Sequence, residues 1–335
     1  MKPLVQLVAD VVADREAAVA TRSFDADKPA EEEISTITRW LQAAGYPVAV
    51  TPTVIAFVAS PPSAPRAYGD TIVLPLWRGG ASRNRTVVVP AICEELGLPF
   101  VGGDAFVQCV CQDKSLSKVF ARRAGFAVPG EWILPAPQDL SQFFPSERLA
   151  VPFVVKPQYS AASIGIDDDS LCWSDEAARA KAERLFADGL GPVLCEEFLP
   201  GEEVSLCFIE ERGALVEKCA VMWADAAGNF PYPERLVTFD EKATEDDGCE
   251  LVLWTGALDP ALWKSAAELV HLLGKVDCMR IDGRFNAGRF AVVELTQDPH
   301  LGENSELLGG FKCAGLHPSQ AVDRLIQASL RNQAI

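Results

Sequence analysis

Nowhere in its 335 residues does the chain hold an apolar run near the roughly 20 residues that a membrane span needs. Met1-Lys2-Pro3 leads into a short strand pattern rather than a signal peptide, so a cytoplasmic protein is expected. There is no C-x-x-C pair, which argues against a zinc site or a thioredoxin-like centre. No G-x-x-x-x-G-K-[ST] occurs, which excludes a Walker A phosphate loop. Positive charge is also short: 30 Lys and Arg against 47 Asp and Glu leave a formal charge of −17. That balance argues against general binding to nucleic acid or anionic membranes. Any nucleotide site must concentrate its cations locally. Internal repeats and low-complexity tracts are absent too.

What is present is ordinary for a soluble globular protein, with 49% hydrophobic and 23% charged residues, and a length that suggests two or three domains. The ten cysteines are scattered singly through apolar runs and read as buried reduced thiols. Pro3 to Ala9 is an apolar run, Glu31 to Ala44 carries Ile34, Ile37, Trp40 and Leu41 at helical spacing, and Val48 to Ala59 and Thr71 to Leu76 read as strands. A helix over Thr86 to Leu96 and a short strand over Phe100 to Gly102 follow. This alternation predicts βαβ units and a parallel sheet in a small α/β domain over residues 1–105.

The chemistry concentrates between Arg280 and Ser305. Two apolar-rich segments, Cys278 to Phe285 and Arg289 to Leu295, flank Asn286-Ala287-Gly288 and predict a β-hairpin. In that hairpin Asp282 and Glu294 can face one side. Two converging carboxylates suit Mg²⁺, whose remaining shell comes from water and phosphate; a solvated surface hairpin is the plain alternative. Upstream, Asp113-Lys114 opens a helix, and Val154-Val155-Lys156-Pro157 ends a strand ahead of a small-residue loop, Gln158 to Gly165, able to cover phosphates with backbone N–H groups. Glu196-Glu197-Phe198-Leu199 then precedes Gly201-Glu202-Glu203.

In that order the blocks resemble the ATP-grasp superfamily, and within it the D-alanine–D-alanine ligase branch, over roughly Val73 to Gly315. The specific signal is the order, since no single block carries it. The resemblance implies an α/β (α+β) ATP-grasp fold: an N-terminal open α/β domain over 1–105, a central subdomain over 106–192 with the phosphate-covering loop, and a C-terminal subdomain over 193–335 with the metal hairpin, the last two sandwiching ATP. It also implies ATP and Mg²⁺ as cofactors. Lys114 and Lys156 then pair with phosphates, Ser163 belongs to the covering loop, Glu196 and the backbone near Phe198 and Leu199 read the adenine, and Glu203 holds the ribose. Asp282 and Glu294 become metal ligands, Arg280 meets the developing oxyanion, and Ser305 binds the carboxylate of a second substrate. Glu33, in the Glu31-Glu32-Glu33 run before Ile34-Ser35, resembles the acid that grips the first substrate's amine, although acids at a helix N-terminus also suit the macrodipole. A homodimer acting on a small amino acid or peptide is implied in the same way.

Departures from that pattern are informative. Arg78-Gly79, followed by Arg83-Asn84-Arg85, stands where the family has His-Gly and an acidic loop, so Arg78 is a candidate to meet a carboxylate or phosphate through its planar fork; a solvated basic loop is the alternative. Ala162 replaces the first Ser of a Gly-Ser-Ser run. Thr296 stands where an Asn is a third metal ligand: either Thr296 coordinates, Asp298 substitutes, or one metal site is impaired. Pro299-His300 replaces Pro-Gly and puts an imidazole beside the acyl centre, as a base, a substrate contact or a bystander. The polar excursion Asn229 to Gly248 takes the place of the loop that supplies a Lys-Tyr pair, and offers Arg235 and Lys242 as cations with Tyr232.

The expected activity is ligation of a carboxylate to an amine through an acyl phosphate, on a compound of specialised metabolism such as antibiotic biosynthesis rather than on two D-alanines. The alternatives are ring closure within one molecule, of the cycloserine or tabtoxin β-lactam type, a nucleotide binder that has lost catalysis, and a transferase that stops at the acyl phosphate.

Overall fold

The computed structural model describes residues 2–62, 70–239, 248–256, 258–297, 301–302 and 305–333. The first apolar run forms β1 (Leu4–Ala9), the middle strand of a parallel sheet of order β2-β1-β3, with β2 (Val48–Thr51) and β3 (Thr71–Leu76). Parallel neighbours require a crossover. Between β1 and β2 it is made by α1 (Arg15–Ala20) and α2 (Glu31–Ala43), which buries Ile34, Ile37 and Leu41 on one face. The strand expected over Val48 to Ala59 stops at Thr51, and Val54–Ala59 is helix α3. Pro52 cannot donate to the ladder, and the Thr53 hydroxyl caps the new helix by accepting from Ala56 N. Helix α4 (Val88–Leu96) follows β3. Phe100 to Gly102, expected as a strand, makes only a single parallel bridge to Val73 before Gly102 turns away at φ 94°.

Helices α5 (Ala105–Gln112) and α6 (Lys114–Arg123) come next, each capped by an aspartate, Asp104 and Asp113. A four-stranded sheet of order β4-β7-β5-β6 combines β4 (Glu131–Leu134), β5 (Phe153–Pro157), β6 (Leu171–Cys172) and β7 (Val193–Glu197), with α7 (Asp175–Ala187) packed on it. The third sheet, of order β10-β9-β8-β11-β12, is antiparallel throughout: β8 (Glu202–Glu211), β9 (Ala214–Ala224), β10 (Glu250–Leu253), β11 (Cys278–Asn286) and β12 (Arg289–Thr296). Helices α8 (Ala261–Leu273), α9 (Glu306–Cys313) and α10 (Pro318–Asn332) complete the chain.

The two faces of the five-stranded sheet belong to different cores. One packs on α5, α6 and α8 through residues such as Leu206, Phe208, Met279 and Ile281. The other carries Cys207, Val221 and Cys278 into a core that contains Leu307 and Phe311 of α9, Val322 and Leu325 of α10, and Ile34 and Ile37 of α2. The closing helix thus returns to the N-terminal sheet. All ten cysteines are free thiols, most of them buried, and Cys207 faces Cys219 directly across β8 and β9. Among the described residues no helix is long and apolar enough to cross a membrane.

Candidate active site

The β11–β12 hairpin turns at Ala287 and Gly288, both at positive φ, which matches the twist of the flanking strands. Asp282 pairs directly with Glu294, but Gly283 pairs with Val292, so Val293 bulges out between them. Directly opposed residues share a face of a sheet, and the two carboxylates therefore point the same way. Gly283 is required by crowding: a Cβ there would lie 2.4 Å from the Phe290 ring and 2.5 Å from Ala291 O.

Asp282 accepts a hydrogen bond from Ser205 Oγ at 2.7 Å, from Arg280 Nε at 2.9 Å and from Thr296 Oγ1 at 3.3 Å. Burial pushes its carboxyl above the usual range despite the guanidinium. Arg280 also reaches Glu306, 2.5 Å from Nη1 to Oε2, while Trp223 Nε1 donates to the other oxygen at 3.3 Å. Burial opposes the Arg280 charge, yet Asp282 and Glu306 hold it more firmly protonated than an ordinary arginine.

Lys114, on the first turn of α6, lies 3.0 Å from Glu294 Oε1 and donates to Ser160 O in the small-residue loop. Burial alone would raise the Glu294 carboxyl, but the ammonium groups of Lys114 and Lys156 bring it down to about 2. Lys156 sits on one oxygen of Glu196, and Lys118 on the other at 2.8 Å. Burial lowers the Lys156 ammonium, and burial of Glu196 is outweighed by its two lysines, which keep it ionised. Glu196, expected to read adenine through its carboxylate, accepts from one lysine on each oxygen. In the covering loop Ala162 and Ser163 both hold left-handed conformations, at φ 51° and 56°, and Ile166 N donates to Ser163 O at 2.9 Å.

Phe198 and Leu199 are half-buried beyond β7, with Phe198 N donating to Pro152 O. Glu203 pairs with Arg284 at 3.4 Å. The Arg284 guanidinium in turn donates to three carbonyl oxygens, of Gly201, Tyr232 and Arg235. Arg235 stacks 3.8 Å over the Tyr232 ring and donates to Leu236 O. Ser305, expected on a substrate carboxylate, is buried as the cap of α9, its hydroxyl accepting from Leu308 N.

On the N-terminal sheet, Asp10 accepts from Arg78 N at 2.7 Å and Gly79 N at 2.8 Å, which fixes the strand-end loop. Arg78 itself is buried. Arg85 of the same basic loop binds Asp27, and Arg83 lies over the Tyr159 ring. Glu33 is half-buried in the first turn of α2, next to Glu31 and Glu32, which line a cavity of about 500 Å³ with Val11, Val12 and Arg15. His300, Lys242, Asp298 and Asn304 lie outside the described residues.

The structure thus assembles Lys114, Lys156, Glu196, Arg280, Asp282, Glu294 and Thr296 into one network. Among the described residues no three His, Cys, Asp or Glu side chains converge as a metal-ligand set. Two carboxylates with an adjacent hydroxyl still fit Mg²⁺, which is usually held by one or two carboxylates together with substrate phosphates. Sequence reasoning missed Lys118, Ser205, Arg284 and Glu306. Lys118 was detectable, since it follows Lys114 by four on one helix face; Ser205 and Glu306 depend on strand register and on the position of α9.

No family model matches the chain. D-alanine–D-alanine ligases from Thermotoga maritima and Bacillus anthracis are each 26% identical to it, over 73% and 72% of this chain and 76% and 75% of theirs. The crystal structure of the Bacillus anthracis D-alanine–D-alanine ligase superposes with a TM-score of 0.68 at 18% identity, covering 99% of both chains. Its complex with ATP gives 0.67 at 17% identity over the same share of both, and the VanG D-Ala:D-Ser ligase from Enterococcus faecalis 0.66 at 16%, over 98% of this chain and all of that one. In sequence over about three quarters of its length, and in fold over nearly all of it, the chain is thus similar to D-alanine–D-alanine ligases, and the ATP-grasp layout expected from its sequence is the fold it shares with them.

Proposed function

We propose that this protein joins a carboxylate to an amine through an acyl phosphate, and that its substrates are amino acids or small peptides of specialised metabolism rather than two D-alanines. The observation that carries the reading is the placement of Asp282 and Glu294 on one face, with Lys114 on one and Arg280 on the other.

A carboxylate is a poor electrophile. When one of its oxygens takes the γ-phosphoryl group and ADP leaves, the acyl carbon acquires a good leaving group. An amine then adds to that carbon, loses its proton, and expels phosphate to leave the amide. The protein's work is positioning and charge neutralisation. Lys114 and Lys156 would neutralise phosphate oxygens under the loop that contains Ser163, while Phe198, Leu199 and Glu203 hold the nucleoside. Arg280 would stabilise the oxyanion at the acyl carbon. Asp282 and Glu294, beside Thr296, would hold Mg²⁺, which would draw off phosphate charge.

Glu306 supports the departure from D-alanine. It puts a carboxylate beside Arg280 and next to Ser305, so a free carboxylate of a second substrate would meet like charge there. Ring closure within one molecule is favoured by the same residue, because a self-attacking substrate brings no separate amino-acid carboxylate. Cytoplasmic location and a homodimer complete the reading through likeness to the family. The test is ADP release by purified protein with ATP and Mg²⁺ against amino acids and dipeptides, singly and in pairs, with Glu294→Ala as control and product mass as readout. Release that needs two compounds establishes intermolecular ligation, and release with one compound plus a product lighter by one water establishes ring closure. Turnover of D-alanine alone to its dipeptide at full rate would overturn the substrate assignment.

A further inference from the structure

Lys118 lies one turn beyond Lys114 on α6 and is only 1% exposed. Its ammonium is 2.8 Å from Glu196 Oε2 and 3.0 Å from Glu131 Oε2, and the other oxygen of Glu196 holds Lys156. Glu131 and Glu196 are themselves cross-strand partners on β4 and β7. Buried Glu196, shared by the two lysines, and half-buried Glu131, paired with Lys118, therefore balance two buried ammonium groups. Burying ions together is costly unless every charge is compensated, and removing one member leaves its partner's charge exposed to a low-dielectric surrounding. Without Lys118, Glu196 would face Lys156 alone and Glu131 would add a net negative charge behind it.

We propose that Lys118 is a positioning residue for the nucleotide phosphates: by holding the far oxygen of Glu196 and balancing Glu131, it fixes the Lys156 ammonium and leaves its charge available to phosphate. This rests on the assignment of Lys114 and Lys156 to phosphate given above. Lys118 touches no phosphate; it acts through Glu196. The charge logic has a sign that simple packing lacks. Losing Lys118 leaves the cluster net negative and repels phosphate, whereas losing the Glu131 charge leaves it net positive and attracts it.

Calorimetric titration of the full chain with Mg²⁺-ATP and, separately, with adenosine tests this. Lys118→Met is expected to weaken ATP binding about tenfold or more while adenosine binding holds, and Lys118→Arg to restore most of the loss. Glu131→Gln should tighten ATP binding, and the double variant Lys118→Met with Glu131→Gln should return toward wild type. Equal loss of ATP and adenosine in Lys118→Met would overturn the proposal in favour of a packing role, as would unchanged ATP affinity. Should Lys118→Met fail to fold, unchanged or weakened ATP affinity in Glu131→Gln overturns it. Wild-type protein that binds no ATP would overturn the nucleotide assignment itself, and this proposal with it.

Discussion

Lys114 Nζ lies 3.0 Å from Glu294 Oε1 and joins the first turn of α6 to the end of β12. Burial would raise the Glu294 carboxyl, but the nearby lysines set it at about 2 against an ordinary value of 4.5. An acid whose folded value lies below its unfolded one contributes stability that is complete above the unfolded value and is lost as pH falls toward the folded one. Glu294→Gln should therefore lower the urea midpoint of the nucleotide-free protein at pH 7. Its deficit should shrink between about pH 4.5 and about pH 2. Urea titrations of both proteins at stepped pH check this; a deficit that stays constant down to pH 2.5 would contradict the ion-pair account.

Asp282 carries the opposite sign. Its carboxyl is raised chiefly by burial, so its ionised form costs stability at neutral pH, and that cost is relieved as pH falls. Asp282→Asn is expected to leave the thermal midpoint unchanged or higher while lowering ligase turnover about 100-fold or more. Differential scanning fluorimetry and ADP release on one preparation make the comparison. A large fall in melting temperature would show that its pairing with Arg280 outweighs the burial cost.

Gly283 permits the bulge that brings Asp282 level with Glu294, because any Cβ would strike the Phe290 ring and Ala291 O. Gly283→Ala should cost about 2–3 kcal/mol of stability, the range of overpacking a filled core. Turnover should drop with it, since relief of the clash moves one carboxylate relative to the other. Chemical unfolding and steady-state kinetics measure the two effects, and a variant with wild-type values in both would refute the steric argument.

Arg284 ties the Gly201 turn to the excursion that begins at Asn229, through three carbonyl oxygens and Glu203. Burial lowers its hold on the proton, partly offset by Glu203 and Glu234. Arg284→Met leaves part-buried carbonyl acceptors without that donor, at a cost of about 1–3 kcal/mol. The KM for ATP should rise more than kcat falls, because the Glu203 turn loosens while the hairpin carboxylates stay in register.

Much of the site was legible because its signals are local. The Asn286-Ala287-Gly288 turn and its flanking apolar runs specify the hairpin, Asp113 is a helix cap by residue type, and β3 occupies the Thr71 to Leu76 span read from its apolar pattern. The misreadings have local causes of a subtler kind. Pro52 and Thr53 divide the run Val48 to Ala59, where hydrophobicity alone cannot tell a strand from a short buried helix.

The sequence by itself determined the hairpin, many of the flanking elements and the inventory of cations and carboxylates, because turns, caps and periodicity act over a few residues. Only the tertiary structure decided which charge meets which. Both oxygens of Glu196 go to Lys118 and Lys156, Arg280 is shared between Asp282 and Glu306, and Ser305 caps a helix. The physical reason is that a buried charge must be compensated wherever the fold places it, and its partners come from strands and helices far apart in the chain, brought together by register and packing that no local pattern encodes.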